Sequence, residues 1–188
     1  MKNIISDIFK NTMKTIELTH VNCVEEIEKI AANIINVYKN KGKVLIFGNG
    51  GSAADSQHFA AELVGRFQKE RRSYPAIALT TNTSTITALA NDYSYAYIFA
   101  RQIEALGTDK DLAIGISTSG QAKNVINGLK KAKDLGMQTI ALTGQKGKNL
   151  KNLVDICLCV PDGDTPRIQE AHITIIHIIC KLVEDNLS

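Results

Sequence analysis

Apolar residues recur at helical spacing through the first forty positions. From position 43 onward they gather instead into short unbroken runs. Ile4, Ile5, Ile8 and Phe9 form one helical stripe, and Val24, Ile27, Ile30, Ile34, Ile35 and Val37 form another. Residues 1–40 are therefore predicted as two helices. The runs that follow are 44–47, 76–79, 112–116, 139–142 and 156–160. Each is bounded by Gly, Ser, Thr, Asn or Pro, and none alternates cleanly, the mark of strands covered on both faces. Helical segments are predicted at roughly 52–66, 84–90, 96–105, 121–135 and 166–186. Strand–helix steps joined by short links predict an α/β fold: a three-layer, doubly wound, five-stranded parallel sheet. No linker, repeat or low-complexity segment divides the chain, so residues 1–188 are expected to form a single domain. Residues 1–40 would be free to pack in an oligomer.

Composition narrows the class. The 188 residues suit one domain with a substantial core, and 44% hydrophobic with 22% charged residues is globular. A net charge of +3 suits an acidic metabolite and is too mild to argue for nucleic acid. With no Trp and 5% aromatic residues, stacking platforms for single strands are poor. The densest basic cluster, Lys69-Glu70-Arg71-Arg72, reads as a solvated loop. Cys23, Cys157, Cys159 and Cys180 lack CxxC spacing and read as buried reduced thiols, with Cys157 and Cys159 on one side of a strand. The first residues carry charges where a signal peptide needs an apolar core, and the run 173–183 is too short to span a bilayer. A cytoplasmic protein without membrane or nucleic-acid partners is expected.

Candidate chemistry lies at the strand ends, where ligands bind in such folds. After the first strand comes Gly48-Asn49-Gly50-Gly51-Ser52, a turn that aims backbone N–H groups and a helix N-terminus at one spot. It fits neither the dinucleotide fingerprint nor the P-loop, so a small phosphate ester is the better ligand. After the second strand comes Thr80-Thr81-Asn82-Thr83-Ser84, with Asn91-Asp92 later. After the third comes Ser117-Thr118-Ser119-Gly120, ahead of a helix expected near Gln121. Three hydroxyls and free amides suit a phosphate dianion, and a plain Ser/Thr helix cap is the simpler alternative. His58 and Glu62 share a helix face at i, i+4, as a surface pair or as part of a site. His177 lies in an isoleucine run, where a backbone-bonded core histidine and a catalytic one are both open readings. His172 reads as a core histidine.

Together, Phe47–Ser52, His58-Phe59-Ala60-Ala61-Glu62-Leu63, Asn91-Asp92, Gly115–Gly120 and Arg167-Ile168-Gln169-Glu170-Ala171-His172 resemble the phosphoheptose (sedoheptulose 7-phosphate) isomerases of the sugar isomerase (SIS) family. The likeness runs over essentially the whole chain. It implies the SIS fold, aldose–ketose isomerisation of sedoheptulose 7-phosphate to D-glycero-D-manno-heptose 7-phosphate for bacterial lipopolysaccharide or capsule, a cytoplasmic homotetramer and one zinc ion per subunit. Carried over by motif, Asn49, Gly50, Gly51, Ser52, Glu62, Asn91, Asp92, Ser117, Thr118, Ser119, Ala122 and Gln169 would contact substrate. Ala122 stands where many members have a second serine, so only its backbone N–H would serve. His58, Glu62, Gln169 and His177 would be the metal ligands, and Glu62 and His177 the acid/base pair. Gln169 and His177 are eight residues apart, about 12 Å along a helix, so they would converge on one ion or come from different subunits. A related SIS protein that binds a replication initiator without catalysis is the alternative. The resemblance implies that it lacks counterparts of Glu62 and His177.

Overall fold

No glycine or proline precedes Gly42, so nothing interrupts the i→i−4 ladder of the N-terminal segment. In the computed structural model, which describes residues 1–187, that segment is one helix, α1 (Lys2–Lys39). The expectation of two helices is corrected to one. Between the two apolar stripes the buried face continues through Thr15, Thr19 and Cys23, at i, i+4 and i+8. The Thr19 hydroxyl is satisfied by the Thr15 carbonyl at 2.7 Å. The helix stops at Asn40 and a left-handed Lys41.

The remaining elements follow the predicted alternation. β1 (Val44–Gly48), β2 (Ala76–Ala78), β3 (Leu112–Ser117), β4 (Gln138–Gly144) and β5 (Ile156–Val160) form a parallel sheet in the order β2-β1-β3-β4-β5. Between and after them run α2 (Gly51–Val64), α3 (Thr83–Asp92), α4 (Ile98–Leu106), α5 (Lys123–Asp134) and α6 (Thr165–Leu187). The helix predicted at 96–105 opens with a 3₁₀ turn, Tyr95–Tyr97, and a second 3₁₀ segment, Gln145–Asn152, was not anticipated. β1 and β3 are buried along their whole length. Their side chains alternate between the two layers. Val44, Ile46, Leu112, Ile114 and Ile116 join the core under α1, α2 and α6. Leu45, Phe47 and Ala113 join the core under α4 and α5. Helices after β1 and after β3 thus lie on opposite faces, which opens a crevice at the carboxyl ends of these two neighbours.

The basic cluster 69–72 is not a solvated loop throughout. Arg71 Nε donates to Glu184 Oε1 at 3.1 Å, and the two side chains are 4% and 0% exposed. The same carboxylate accepts the backbone N–H groups of Phe67, Gln68 and Lys69 at 2.8–3.0 Å. Desolvation pushes the Glu184 carboxyl up, but these donors together outweigh it and hold the pKa below the usual value. Charge runs read as surface because sequence does not show a carboxylate more than a hundred positions away. The cysteines are free thiols, with Cys159 half-buried and the others buried. No helix among the described residues is long and apolar enough to cross a membrane.

Candidate active site

The crevice between β1 and β3 collects the first and third polar turns. Gly48 is paired with Ile116 across the sheet, so Asn49 and Ser117 leave neighbouring strand ends. Gly50 caps α2 at φ 55, ψ −122, a conformation open only to glycine. Nothing lies within 4 Å of where its Cβ would be. That leaves the backbone free to approach a ligand at the positive end of α2. Ser52 is buried in the first turn of this helix.

The Ser117–Gly120 turn is stitched from within: Gly120 N–H donates to the Ser117 carbonyl at 3.1 Å, and Gln121 N–H to Ser119 Oγ at 3.2 Å. Gly120 sits at φ +65, and a Cβ there would lie 2.3 Å from Gly147 Cα. The residue capping α5 is Ala122, with no side-chain cap. The serine and threonine hydroxyls are therefore not the cap of α5; in its first turn the Asn124 side chain takes the Val125 N–H, and the positive end of the helix still favours an anion.

Two helical turns into α2, His58 meets α6. His58 Nε2 lies 3.1 Å from Glu62 Oε1 and 3.2 Å from His177 Nε2. The ligand atoms of these three residues all lie within 4.8 Å of one another. A neutral ring nitrogen offers one hydrogen or one lone pair, so His58 Nε2 cannot satisfy both neighbours by hydrogen bonding. One cation can. Two nitrogens held at ~2.0–2.1 Å from a tetrahedral zinc ion stand about 3.3–3.4 Å apart, close to the spacing found. The donor set of two imidazoles and a carboxylate fits zinc chemistry. The Phe67 ring lies 5.7 Å from that of His177. Arg71 Nη2 donates to the Glu62 carbonyl at 2.8 Å, so the buried ion pair braces the end of α2 that carries the group.

α2 and α6 run side by side in the same direction, with Gly51 beside Gln169 and His58 beside His177. A Cβ at position 51 would lie 2.3 Å from Gln169 Nε2. Gln169 is thus seated at the glycine turn, a little over two turns from His177.

A model of the SIS domain family matches residues 8–144. The chain is 52% identical to the phosphoheptose isomerase of Aliarcobacter butzleri over 188 residues, covering 100% of both. It is 57% identical to that of Aquifex aeolicus over 161 residues, covering 86% of this chain and 84% of the other. The solved phosphoheptose isomerase of Neisseria gonorrhoeae superposes with a TM-score of 0.93 at 39% identity, covering 98% of each chain. The chain belongs to the phosphoheptose isomerase family. The SIS fold expected from its motifs is the fold observed, and the replication-adaptor alternative finds no support in these relatives.

Other residues expected at a phosphoheptose isomerase site are placed less tightly. Asn91 and Asp92 end α3 in solvent, with Asn91 Nδ2 donating to Asp92 Oδ1 at 2.9 Å. Asn82, in the second polar turn, caps α3 by accepting the Thr85 N–H at 3.0 Å. His172 is a core histidine: fully buried, its Nε2 lies 3.3 Å from the Thr143 carbonyl. Burial depresses its pKa to about 4, against a smaller opposing pull from that backbone bond. Among residues that sequence reasoning passed over, Asn124 and Tyr95 both bond the side chain of Asn49. Nothing in their surroundings in the sequence marks them out.

Proposed function

We propose that this chain interconverts sedoheptulose 7-phosphate and D-glycero-D-manno-heptose 7-phosphate, as a cytoplasmic homotetramer with one zinc ion per subunit. The observation that carries the reading is the meeting of His58, Glu62 and His177, in a chain whose strand ends supply a phosphate cradle. Ser117, Thr118, Ser119 and the backbone N–H of Ala122 hold the phosphate. The turn Asn49–Ser52, with Asn91 and Asp92, contacts the sugar.

Isomerisation moves one proton between neighbouring carbons through an enediol. Glu62, as carboxylate, takes the proton from C1 of the ketose while His177 protonates the oxygen on C2. His177 then takes the proton from the oxygen on C1, and Glu62 returns its proton to C2. Each well-placed acid or base contributes roughly 10²–10⁴-fold. His58, Glu62 and His177, with Gln169 as fourth ligand once its side chain leaves Gly51, would hold a zinc ion, each through one atom, which would leave the second ring nitrogen of His177 and the second carboxylate oxygen of Glu62 to carry the protons. When bound, that ion supplies a Lewis acid for the carbonyl oxygen and fixes the donors in place.

The test is incubation with sedoheptulose 7-phosphate, following heptose phosphate formation with and without a chelator. Turnover that falls on chelation and returns with zinc supports the whole reading. Turnover indifferent to chelation removes the metal and leaves the acid/base pair. No turnover removes the activity.

A further inference from the structure

We infer that Asn124 is a positioning residue: with Tyr95 it locks the side-chain amide of Asn49 so that a single Nδ2 hydrogen faces the bound sugar phosphate. The inference deepens the proposed function and rests on its placing of Asn49 against substrate.

The two amides bond reciprocally. Asn49 Nδ2 donates to Asn124 Oδ1, and Asn124 Nδ2 donates to Asn49 Oδ1, both at 2.8 Å. The Tyr95 hydroxyl adds a second donor to Asn49 Oδ1 at 3.1 Å. An amide oxygen has two lone pairs and an amide nitrogen two hydrogens. The oxygen of Asn49 is therefore saturated, and its nitrogen keeps one hydrogen.

The orientation is anchored to the backbone. Asn124 Oδ1 also accepts the N–H of Val125 at 3.0 Å. That N–H can only donate, so Oδ1 of Asn124 must face it, and its NH₂ must then face Asn49. The same chain of bonds fixes which way Asn49 points. Asn124 is 3% exposed, so water does not compete for these bonds, whereas Asn49 is half-buried at the crevice. The pair ties the end of β1 to the first turn of α5, across the crevice between the glycine turn and the serine turn. An amide held this way offers a donor to a hydroxyl, carbonyl or phosphate oxygen and has no acceptor left for a ligand hydrogen. Its preset geometry removes the ordering cost that a free Asn side chain would meet on binding.

The test is a pair of mutant cycles on kcat/KM for sedoheptulose 7-phosphate. Asn124→Asp keeps the bonds from Val125 N and Asn49 Nδ2 but loses the donor to Asn49 Oδ1. It should lower kcat/KM about tenfold, chiefly through KM. In an Asn49→Ala background the same change should cost less than about twofold. Tyr95→Phe, at an exposed position that leaves the core untouched, should cost about threefold with Asn49 present and nothing measurable without it. Equal losses in the two backgrounds would show a purely structural role and overturn the inference. Wild-type kcat/KM in Asn49→Ala would overturn it by removing the contact it serves, while turnover by the unmodified chain kept the isomerase reading intact.

Discussion

The Nε2 atoms of His58 and His177 face each other at 3.2 Å, with Glu62 Oε1 at 3.1 Å from the first of them. Without a cation this arrangement leaves one nitrogen poorly matched to its neighbours. Zinc should therefore bind the folded chain and raise its melting temperature. At a hundredfold excess over Kd the gain is about 2.7 kcal/mol, or roughly 5–10 °C for a chain of this length. His58→Ala or His177→Ala should abolish most of the shift, read by thermal melts with and without added zinc.

Glu62→Gln keeps the size of the side chain and a possible oxygen ligand while removing the base. Turnover should fall by at least about 10²-fold, and the melting temperature without metal should stay within a few degrees of the parent. Activity at the parent level would show that another group takes the carbon-bound proton.

The ion pair of Arg71 with Glu184 is shielded from water, so removing one partner strands the other. Arg71→Met should cost roughly 3–5 kcal/mol, visible in denaturant melts. It should also lower turnover, because Arg71 supports the Glu62 carbonyl. Arg71→Met with Glu184→Leu should recover part of the stability, since apolar replacement of both partners leaves no stranded charge. The backbone N–H groups of Phe67, Gln68 and Lys69 would still lose their acceptor, so recovery should be incomplete.

The sheet was legible because β1, β3 and β4 are covered on both faces and spell unbroken apolar runs. The continuity of α1 was not, because Thr15, Thr19 and Cys23 carry its middle stripe with small side chains that a hydrophobic pattern does not count. The glycine and serine turns were visible as polar breaks at strand ends. The meeting of His58 with His177 was suggested only by family likeness, since it depends on α2 and α6 lying parallel in one register. Asn124 escaped notice and Arg71 read as solvated for the same reason: the partner that gives each its role, Asn49 or Glu184, is distant in sequence. The serine turn shows the converse. Its sequence also suits a helix cap, and only the placing of Ala122 at the start of α5 set that alternative aside.

His172 gives the chain a distinct acid sensitivity. Burial lowers its folded pKa to about 4 from an ordinary value near 6.5. Between those values the unfolded chain binds a proton that the folded chain refuses, so this contribution to stability is complete above about pH 6.5 and is lost as pH falls toward 4. The full loss is roughly 3 kcal/mol. His172→Gln, which does not titrate, should show a shallower fall of melting temperature between pH 7 and pH 4.5 than the parent. Parallel pH profiles would place the acid sensitivity elsewhere.

The first turns of α1 present Ile4, Ile5, Ile8, Phe9 and Met13 to solvent, with Ile4 at 65% and Phe9 at 66% exposed. A helix of 38 residues is about 57 Å long, and its buried residues begin only at Thr15. The overhanging end thus carries an apolar stripe that its own domain does not cover, and large exposed apolar faces are covered by partners. If copies of the chain cover one another there, Ile5→Lys with Phe9→Lys should shift the sedimenting species from the proposed tetramer to a smaller form without unfolding the sheet, since neither residue touches the core. Turnover of the smaller form, assayed at the same subunit concentration, then tells whether the site is complete in one subunit. A tetramer that survives both lysines would mean that the assembly is built through another face.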